Sequence, residues 1–440
     1  MSVDSPSSTP VDAEAATRKR AMFIVFLVVF IDLLGFGIVL PLLPRFASSF
    51  LGDFSPTGKG LIIGGLYSSF SLMQFFFSPM WGRVSDRIGR RPILMLGLAG
   101  SVVFYALFGY ASSLPGTEVT LALVLLFAAR IGAGIAGASV GTAAAVIADC
   151  TTPETRGKGM ALIGAAFGIG FTFGPLIAYG SLKFLDKQPW APGAAASVLS
   201  AVALILAVIL MPETLKAGPK PPREFFSYQR TIAVLSTPAV GLIVLVYFLV
   251  IFAFANFEAT LALLTKEAFG MEDEDNFLVF AFIGFVLMVV QGGIYRPLSQ
   301  RRPEAYWLKL GVLFLLAGLG GVAANAIGSG LLKEAGGPGL SVNMQWLFYF
   351  SVAVAVTGFA FVNPSASALI SRRAPANRQG EVLGVNQSFA ALGRILGPFL
   401  GSLLFFQSSS HALPYILAVV VLGGVLILLP GIPTEAKPKA

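Results

Sequence analysis

Long runs in which every face of a would-be helix is apolar recur along the whole chain, and no other feature restricts the fold so strongly. A helix at the surface of a water-soluble protein keeps one polar face. A bilayer core about 30 Å thick instead takes about 20 apolar residues per helix. Such runs are read at about 22–46, 60–82, 92–112, 119–149, 157–184, 193–212, 239–266, 275–296, 305–328, 340–371, 377–408 and 412–432. Twelve spans with short loops use almost all of the 440 residues. The reading is an all-α integral membrane protein. Its domains are an N-terminal tail over 1–21, a six-helix bundle over 22–212, a polar linker over 213–238, a second six-helix bundle over 239–432 and a tail over 433–440. Composition agrees, with 56% of residues apolar and 12% charged. The 38 phenylalanines exclude a disordered chain.

The net charge of +8 suggests an anionic partner such as nucleic acid, but the basic residues are scattered between spans and fit topology better. Of the 30 Lys and Arg, 22 fall on the side that carries both termini and the linker, six fall on the other side, and Arg130 and Arg394 lie inside spans. The positive-inside rule then puts both termini in the cytoplasm, and short loops suit a bacterial inner membrane. A single cysteine (Cys150) and a single histidine (His411) leave no disulfide and no metal cluster to expect, and no cofactor is implied. The halves also resemble each other. Gly157, Gly170, Gly174 and Pro175 match Gly380, Gly393, Gly397 and Pro398 at one offset of 223. Parallel six-helix repeats are one way secondary transporters are built, with a midplane site between the halves.

The loop after the second span reads Gly82-Arg83-Val84-Ser85-Asp86-Arg87-Ile88-Gly89-Arg90-Arg91-Pro92. Its glycines allow a tight turn between helix ends, Asp86 suits a helix N-terminus, and the arginines suit carboxylates. Within the spans, Asp32 is a carboxyl in costly surroundings and is read as the proton carrier, or else as a structural hydrogen-bonding group. Arg130 cannot lose its charge, so it must pair, face water or take an anion. Glu258 is a second acid, either for a proton or cationic substrate or merely solvated at the outer interface, with Asn256 beside it. Arg394, with Asn386 and Gln387, gives the second half a cationic centre suited to a carboxylate. Gln74 and Gln291 occupy similar places in the second and eighth spans, as cavity lining or interhelical hydrogen bonds. No nucleophile elbow, phosphate loop or nucleophile–base pair is present, so an enzyme and an ATP-driven pump are not expected.

The loop resembles the signature of the major facilitator superfamily, Gly-x-x-x-Asp-Arg-x-Gly-Arg-Arg. With it go Asp32 to Pro44 in helix 1, Arg130-Ile-Gly-Ala-Gly134 in helix 4 and Gly170-Phe-Thr-Phe-Gly174-Pro175 in helix 5, which resemble the drug:proton antiporter branch. Ala178 and Tyr179 stand where that helix 5 motif carries two glycines. Gly64-Gly65-Leu66 through Gln74, Ala148-Asp149, Pro212-Glu213-Thr214 and Glu258 to Thr265 resemble tetracycline exporters and tetracycline transporter-like proteins. The resemblance implies a monomer that exchanges protons for a small amphipathic organic compound by rocking its halves. In it Asp32 carries the proton and Arg130 tunes it. Gln74, Asn256, Glu258, Gln291, Asn386, Gln387 and Arg394 form the substrate cavity. Gly82, Asp86, Arg87, Gly89, Arg90, Arg91 and Asp149 form a gate in which Asp86 caps helix 11 and Arg90 pairs with Asp149. Gly170, Gly174 and Pro175 let helix 5 bend. The loop after the eighth span, Tyr295 to Arg302, lacks the aspartate, so this latch is expected in the first half alone. An organic-anion carrier or facilitator of the same fold, and a sensor that binds without transport, are the competing readings.

Overall fold

Among the described residues, eleven helices are long and apolar enough to cross a membrane: α1 (Ala21–Ser49), α2 (Pro56–Ile88), α3 (Arg90–Ser112), α4 (Val119–Cys150), α6 (Ala191–Leu210), α7 (Val240–Glu267), α8 (Asp273–Leu298), α9 (Glu304–Glu334), α10 (Asn343–Arg373), α11 (Val382–Phe405) and α12 (Leu413–Gly431). With α5 (Arg156–Phe184) between the fourth and fifth of these, the set is twelve. The structure is a computed structural model describing residues 10–151, 156–215, 228–237, 240–299, 301–335, 342–373 and 379–432. The side chains of 10–20, 32, 156–165, 167, 228–230, 342 and 379–381 lie outside that description.

Several helices outrun the apolar runs that announce them. α2 begins at Pro56, capped by Ser55, which accepts from the Gly58 N–H at 3.1 Å, and it continues through the charged end of the motif to Ile88. Hydropathy measures the hydrocarbon layer, whereas the hydrogen-bonded helix extends into the polar zones on both sides. Prolines interrupt unevenly. Pro41 lacks the N–H that would continue α1, which turns at 40–42 and resumes at Leu43–Ser49. Pro175 sits inside a helix that runs unbroken to Phe184. α8 loosens into a π-helix over Val289–Tyr295.

The packing repeats after six helices. α1 packs on α5 and α6, and α3 packs on α4 and α6. In the second half α7 packs on α11 and α12, and α9 packs on α10 and α12. The halves meet along two seams that the same shift relates, α2 on α11 and α8 on α5. The offset of 223 read from the glycines of α5 and α11 is thus a repeat of structure. Gly170 and Gly174 lie on the backbone of Leu33–Gly37 in α1, and Gly393 and Gly397 lie on the Phe248–Asn256 stretch of α7. Small residues let backbones approach where lipid supplies no hydrophobic drive between helices.

Candidate functional site

Among the described residues, polar contacts between the halves gather at one face. Call the motif face the one that carries the Gly82–Pro92 loop. At the opposite face, Arg45 at the end of α1 reaches into the second half. Its Nε lies 2.6 Å from an Asp273 carboxylate oxygen, and it donates to the carbonyls of Glu272 (2.9 Å) and Met271 (2.6 Å). Lys187 pairs with Glu274 at 3.2 Å, Asn276 donates to the Pro41 carbonyl at 3.2 Å, and Gln407 donates to Thr57 at 3.2 Å. Gly60 and Gly64 bring α2 against the backbone of Phe399–Leu403 in α11. Toward the motif face, Gly82 of α2, Gly168 of α5, Gly292 and Gly293 of α8 and Gly384 of α11 have open space where a side chain would stand.

A polar interior lies between these ends. Glu258 is the one partly exposed residue in α7 between Val250 and Thr265, all others there being buried, so its exposure is to an internal opening. Arg394, halfway along α11, is exposed and interacts electrostatically with Glu258 and with Tyr247, whose hydroxyl donates to Asn363 at 2.6 Å. Across the seam, Tyr67 of α2 is within electrostatic range of both Glu258 and Arg130, and its hydroxyl donates to the Leu40 carbonyl at 2.7 Å. Arg130 is 2% exposed and lies 4.5 Å above the Phe70 ring, with no acceptor for its Nε among the described residues. Phe36 and Phe171 extend that aromatic wall, at 5.2 Å from Phe70 and 5.8 Å from Phe36. Asp32 lies on α1, and its side chain is outside the described residues.

The remaining cavity residues divide. Asn256 is fully buried on another side of α7 from Glu258, donating to the Pro414 carbonyl of α12 at 2.6 Å with its carbonyl oxygen against Gly401. It fastens the second bundle together. Gln74 is half-buried and donates to the Gly137 carbonyl at 3.4 Å, Gln291 is half-buried within the π-helix, and Gln387 is exposed. Asn386 is fully buried, and neither end of its amide has a hydrogen-bond partner among the described residues.

The motif folds into a tight charge cluster. Gly89 takes φ +112°, which turns the chain between α2 and α3. The Arg90 side chain is buried; it pairs with Asp86 at 2.6 Å and Asp149 at 3.1 Å and donates to the Ser85 hydroxyl at 2.6 Å. Asp86 thus pairs with Arg90, and the residues before α11, where its cap was expected, lie outside the described residues. Arg91 donates to the Val208 carbonyl at 2.6 Å, and Arg87 is exposed. Gly170, Gly174 and Pro175 line the α1–α5 seam, and α5 runs on through Pro175 to Phe184.

Three features lay outside the sequence reading. The Arg45 clamp joins residues more than 220 positions apart, and a lone cation at a span end gives no hint of it. The second half carries a salt bridge of its own, Glu304 to Arg372 at 3.0 Å, so charge pairing at this face is not confined to the first half. Glu213 accepts from the N–H groups of Arg90 (2.9 Å), Arg91 (3.2 Å), Thr214 (2.9 Å) and Leu215 (2.9 Å). Pro212-Glu213-Thr214 belongs to the resemblance, but nothing in those residues announces these donors. Partial burial pushes the Glu213 pKa up, but the four backbone donors outweigh this and hold it below the ordinary value of 4.5. A lowered folded pKa means that the stabilisation is complete above the unfolded value and fades as pH falls through the folded one. Parent protein should therefore melt above Glu213→Gln at neutral pH, with the gap closing only in acid below the ordinary glutamate range. A gap that is unchanged across this range in thermal melts would refute the role.

A sequence profile of the Major Facilitator Superfamily matches residues 25–332 and 319–440. The chain belongs to the major facilitator superfamily. Mouse major facilitator superfamily domain-containing protein 10 is 28% identical over 91% of each chain. The class C tetracycline resistance protein of Escherichia coli is 28% identical over 96% of this chain and 98% of its own. Among solved structures, the human organic anion transporter MFSD10 (TETRAN) superposes with a TM-score of 0.61 at 26% identity, covering 94% of this chain and 99% of that one. A D-xylose-proton symporter superposes with a TM-score of 0.73 at 16% identity over 94% and 98%, a likeness of fold. The chain is thus a multi-pass membrane transporter of this superfamily and not an enzyme.

Proposed function

We propose that this superfamily transporter exchanges protons for small amphipathic organic compounds by alternating access. One observation carries the reading: Glu258 and Arg394 are opposite charges facing an internal opening, behind the face where the halves are clamped. Buried charges that are neither neutralised nor used are disfavoured within a bilayer, so such a pair calls for a ligand or a proton. In this reading Asp32 carries the proton and Arg130 sets its affinity. Glu258, Arg394, Gln74, Gln291 and Gln387 shape the substrate site, Asn386 lies at its edge, and the Asp86–Arg90–Asp149 cluster belongs to the gate. The motif face is cytoplasmic, by the excess of Lys and Arg there, and a monomer in a bacterial inner membrane fits the short loops.

A second reading, an organic-anion carrier, is favoured by the exposure of Arg394 and by the likeness to a structure described as an organic anion transporter. Both are tested in proteoliposomes by recording flux and proton movement when tetracycline, an organic cation or an organic anion is added. Substrate-driven proton movement that is lost in Asp32→Asn is the expected result. Flux indifferent to the pH gradient and to the substitution would refute proton coupling and leave a facilitator.

A further inference from the structure

Arg394 is exposed although it stands halfway along a helix that spans the membrane, and its place on α11 tells to what it is exposed. Residues advance by about 100° around a helix, which puts Gln387 about 20° and Gly384 about 80° from Arg394, on one face. All three are exposed. Leu396 and Leu400, the exposed large apolar residues of the same helix, stand about 200° and 240° from Arg394, on the side suited to lipid. The Arg394 face lies between the contacts that Gly393 and Gly397 make with α7 and those that Phe399 makes with Gly64 of α2. Pro398 and Gly401 continue this face and are buried, so the opening ends at Arg394.

Two opposite charges meet at that closed end without joining. Glu258 and Arg394 are within electrostatic range of each other, yet among the described residues neither makes a hydrogen bond or an ion pair. The first half presents an aromatic wall beside them. Tyr67 lies within electrostatic range of Glu258, but its hydroxyl hydrogen is spent on the Leu40 carbonyl at 2.7 Å. One turn along α2, Phe70 carries the Arg130 guanidinium at 4.5 Å and packs with Phe36 at 5.2 Å. Charges so placed select a ligand by exclusion as much as by attraction. An anion laid on Arg394 meets the Glu258 carboxylate, a cation laid on Glu258 meets the guanidinium, and an uncharged body strips water from both. A ligand that carries both signs satisfies both.

We propose that the ligand of this opening is amphoteric: a flat aromatic body on the Phe36–Phe70 wall, with an anionic group on Arg394 and an ammonium group on Glu258. This names the substrate class of the site described above and rests on the transport reading given for it.

The test is equilibrium binding of three probes of nearly one shape to the full chain in lipid nanodiscs at neutral pH. They are para-aminomethylbenzoate, which carries both charges, para-methylbenzoate, the anion alone, and para-methylbenzylamine, the cation alone. The parent should bind the first at least about 10-fold more tightly than either of the others, the factor that a hydrogen bond to a charged group supplies. Glu258→Gln should erase the advantage over the anion and keep the advantage over the cation. Arg394→Gln should do the opposite, and Glu258→Asp and Arg394→Lys should keep the parent order. Each ratio is taken on one variant, so a smaller folded fraction lowers the number of sites and leaves the ratio unchanged. Equal affinities in the parent, a singly charged probe bound most tightly, no binding of any probe, or a variant that moves both ratios together overturns the proposal. Proton movement driven by tetracycline, an organic cation or an organic anion is recorded on the same protein in proteoliposomes. If it persists when the probes fail, the amphoteric site falls and the transport reading stands; if it is absent as well, both fall.

Discussion

Gly60→Val is expected to abolish transport while leaving the fold intact, and Gly318→Val is expected to do the reverse damage, unfolding the chain. Both substitutions add bulk at a helix crossing. At Gly60 a Cβ would stand 2.6 Å from the Leu403 Cα of α11, across the seam between the halves at its closed end. At Gly318 it would stand 2.2 Å from the Ala355 backbone nitrogen, between α9 and α10 inside the second bundle. Overpacking a rigid core costs about 1–3 kcal/mol and sometimes more, because neither backbone can withdraw without dragging the bundle. The seam has another option. α2 and α11 can part there, relinquishing the Arg45 clamp and the contacts around it, which sets the chain toward an arrangement open at that face. Gly60→Val should thus melt near the parent temperature, show no flux, and label readily at a cysteine placed in the clamp region. Gly318→Val should lose the folded population in detergent. Equal melting losses for the two would show that the α2–α11 seam is core and not a moving boundary.

Arg394→Gln is expected to lower organic-anion flux by about 10- to 100-fold, from the roughly 1.5–3 kcal/mol of a hydrogen bond to a charged group. The same substitution should not lower the melting temperature. A cation near the middle of a membrane helix is costly to hold, about 2.5–3.5 kcal/mol on insertion scales, and its replacement by a neutral amide removes that cost. Loss of flux without loss of stability separates a ligand-facing charge from a structural one, since a buried structural arginine leaves its partner carboxylate stranded when removed. Melting curves and anion uptake on the same preparation decide it. A destabilised protein would mean that Arg394 is tied to Glu258 as a structural pair.

The residues explain how far the sequence could be read. Spans, repeat and motif loop were legible because they are local: hydropathy follows bilayer thickness, and the loop concentrates glycine, aspartate and arginine within eleven residues. The pairing of Arg90 with Asp149 followed from the family pattern and stands in the structure. Partnerships across the two halves were not legible. Arg45 meets Asp273 and Lys187 meets Glu274 only once twelve helices are placed, and neither residue differs in its neighbourhood from an ordinary solvated charge. Facing was also hidden. Asn256 and Glu258 are two positions apart, which on a helix puts them on different sides, one in packing and one at the opening. Glu304 was not legible because the loop from Tyr295 to Arg302 lacks the aspartate, and the second half carries its carboxylate instead as the first residue of a helix.

The π-helix over Val289–Tyr295 has a consequence for how α8 is phased. Each residue of an α-helix advances the azimuth by about 100°, so one residue accommodated in a widened turn rotates everything after it by that angle relative to everything before it. The part of α8 that lies against α5, around Gly284, and the part that seats Tyr295 against Trp307 are therefore out of step by one residue. α8 behaves as two helices sharing one axis, each keyed to its own neighbours, and the stretch between them is where a single-residue insertion or deletion would re-aim one key without disturbing the other.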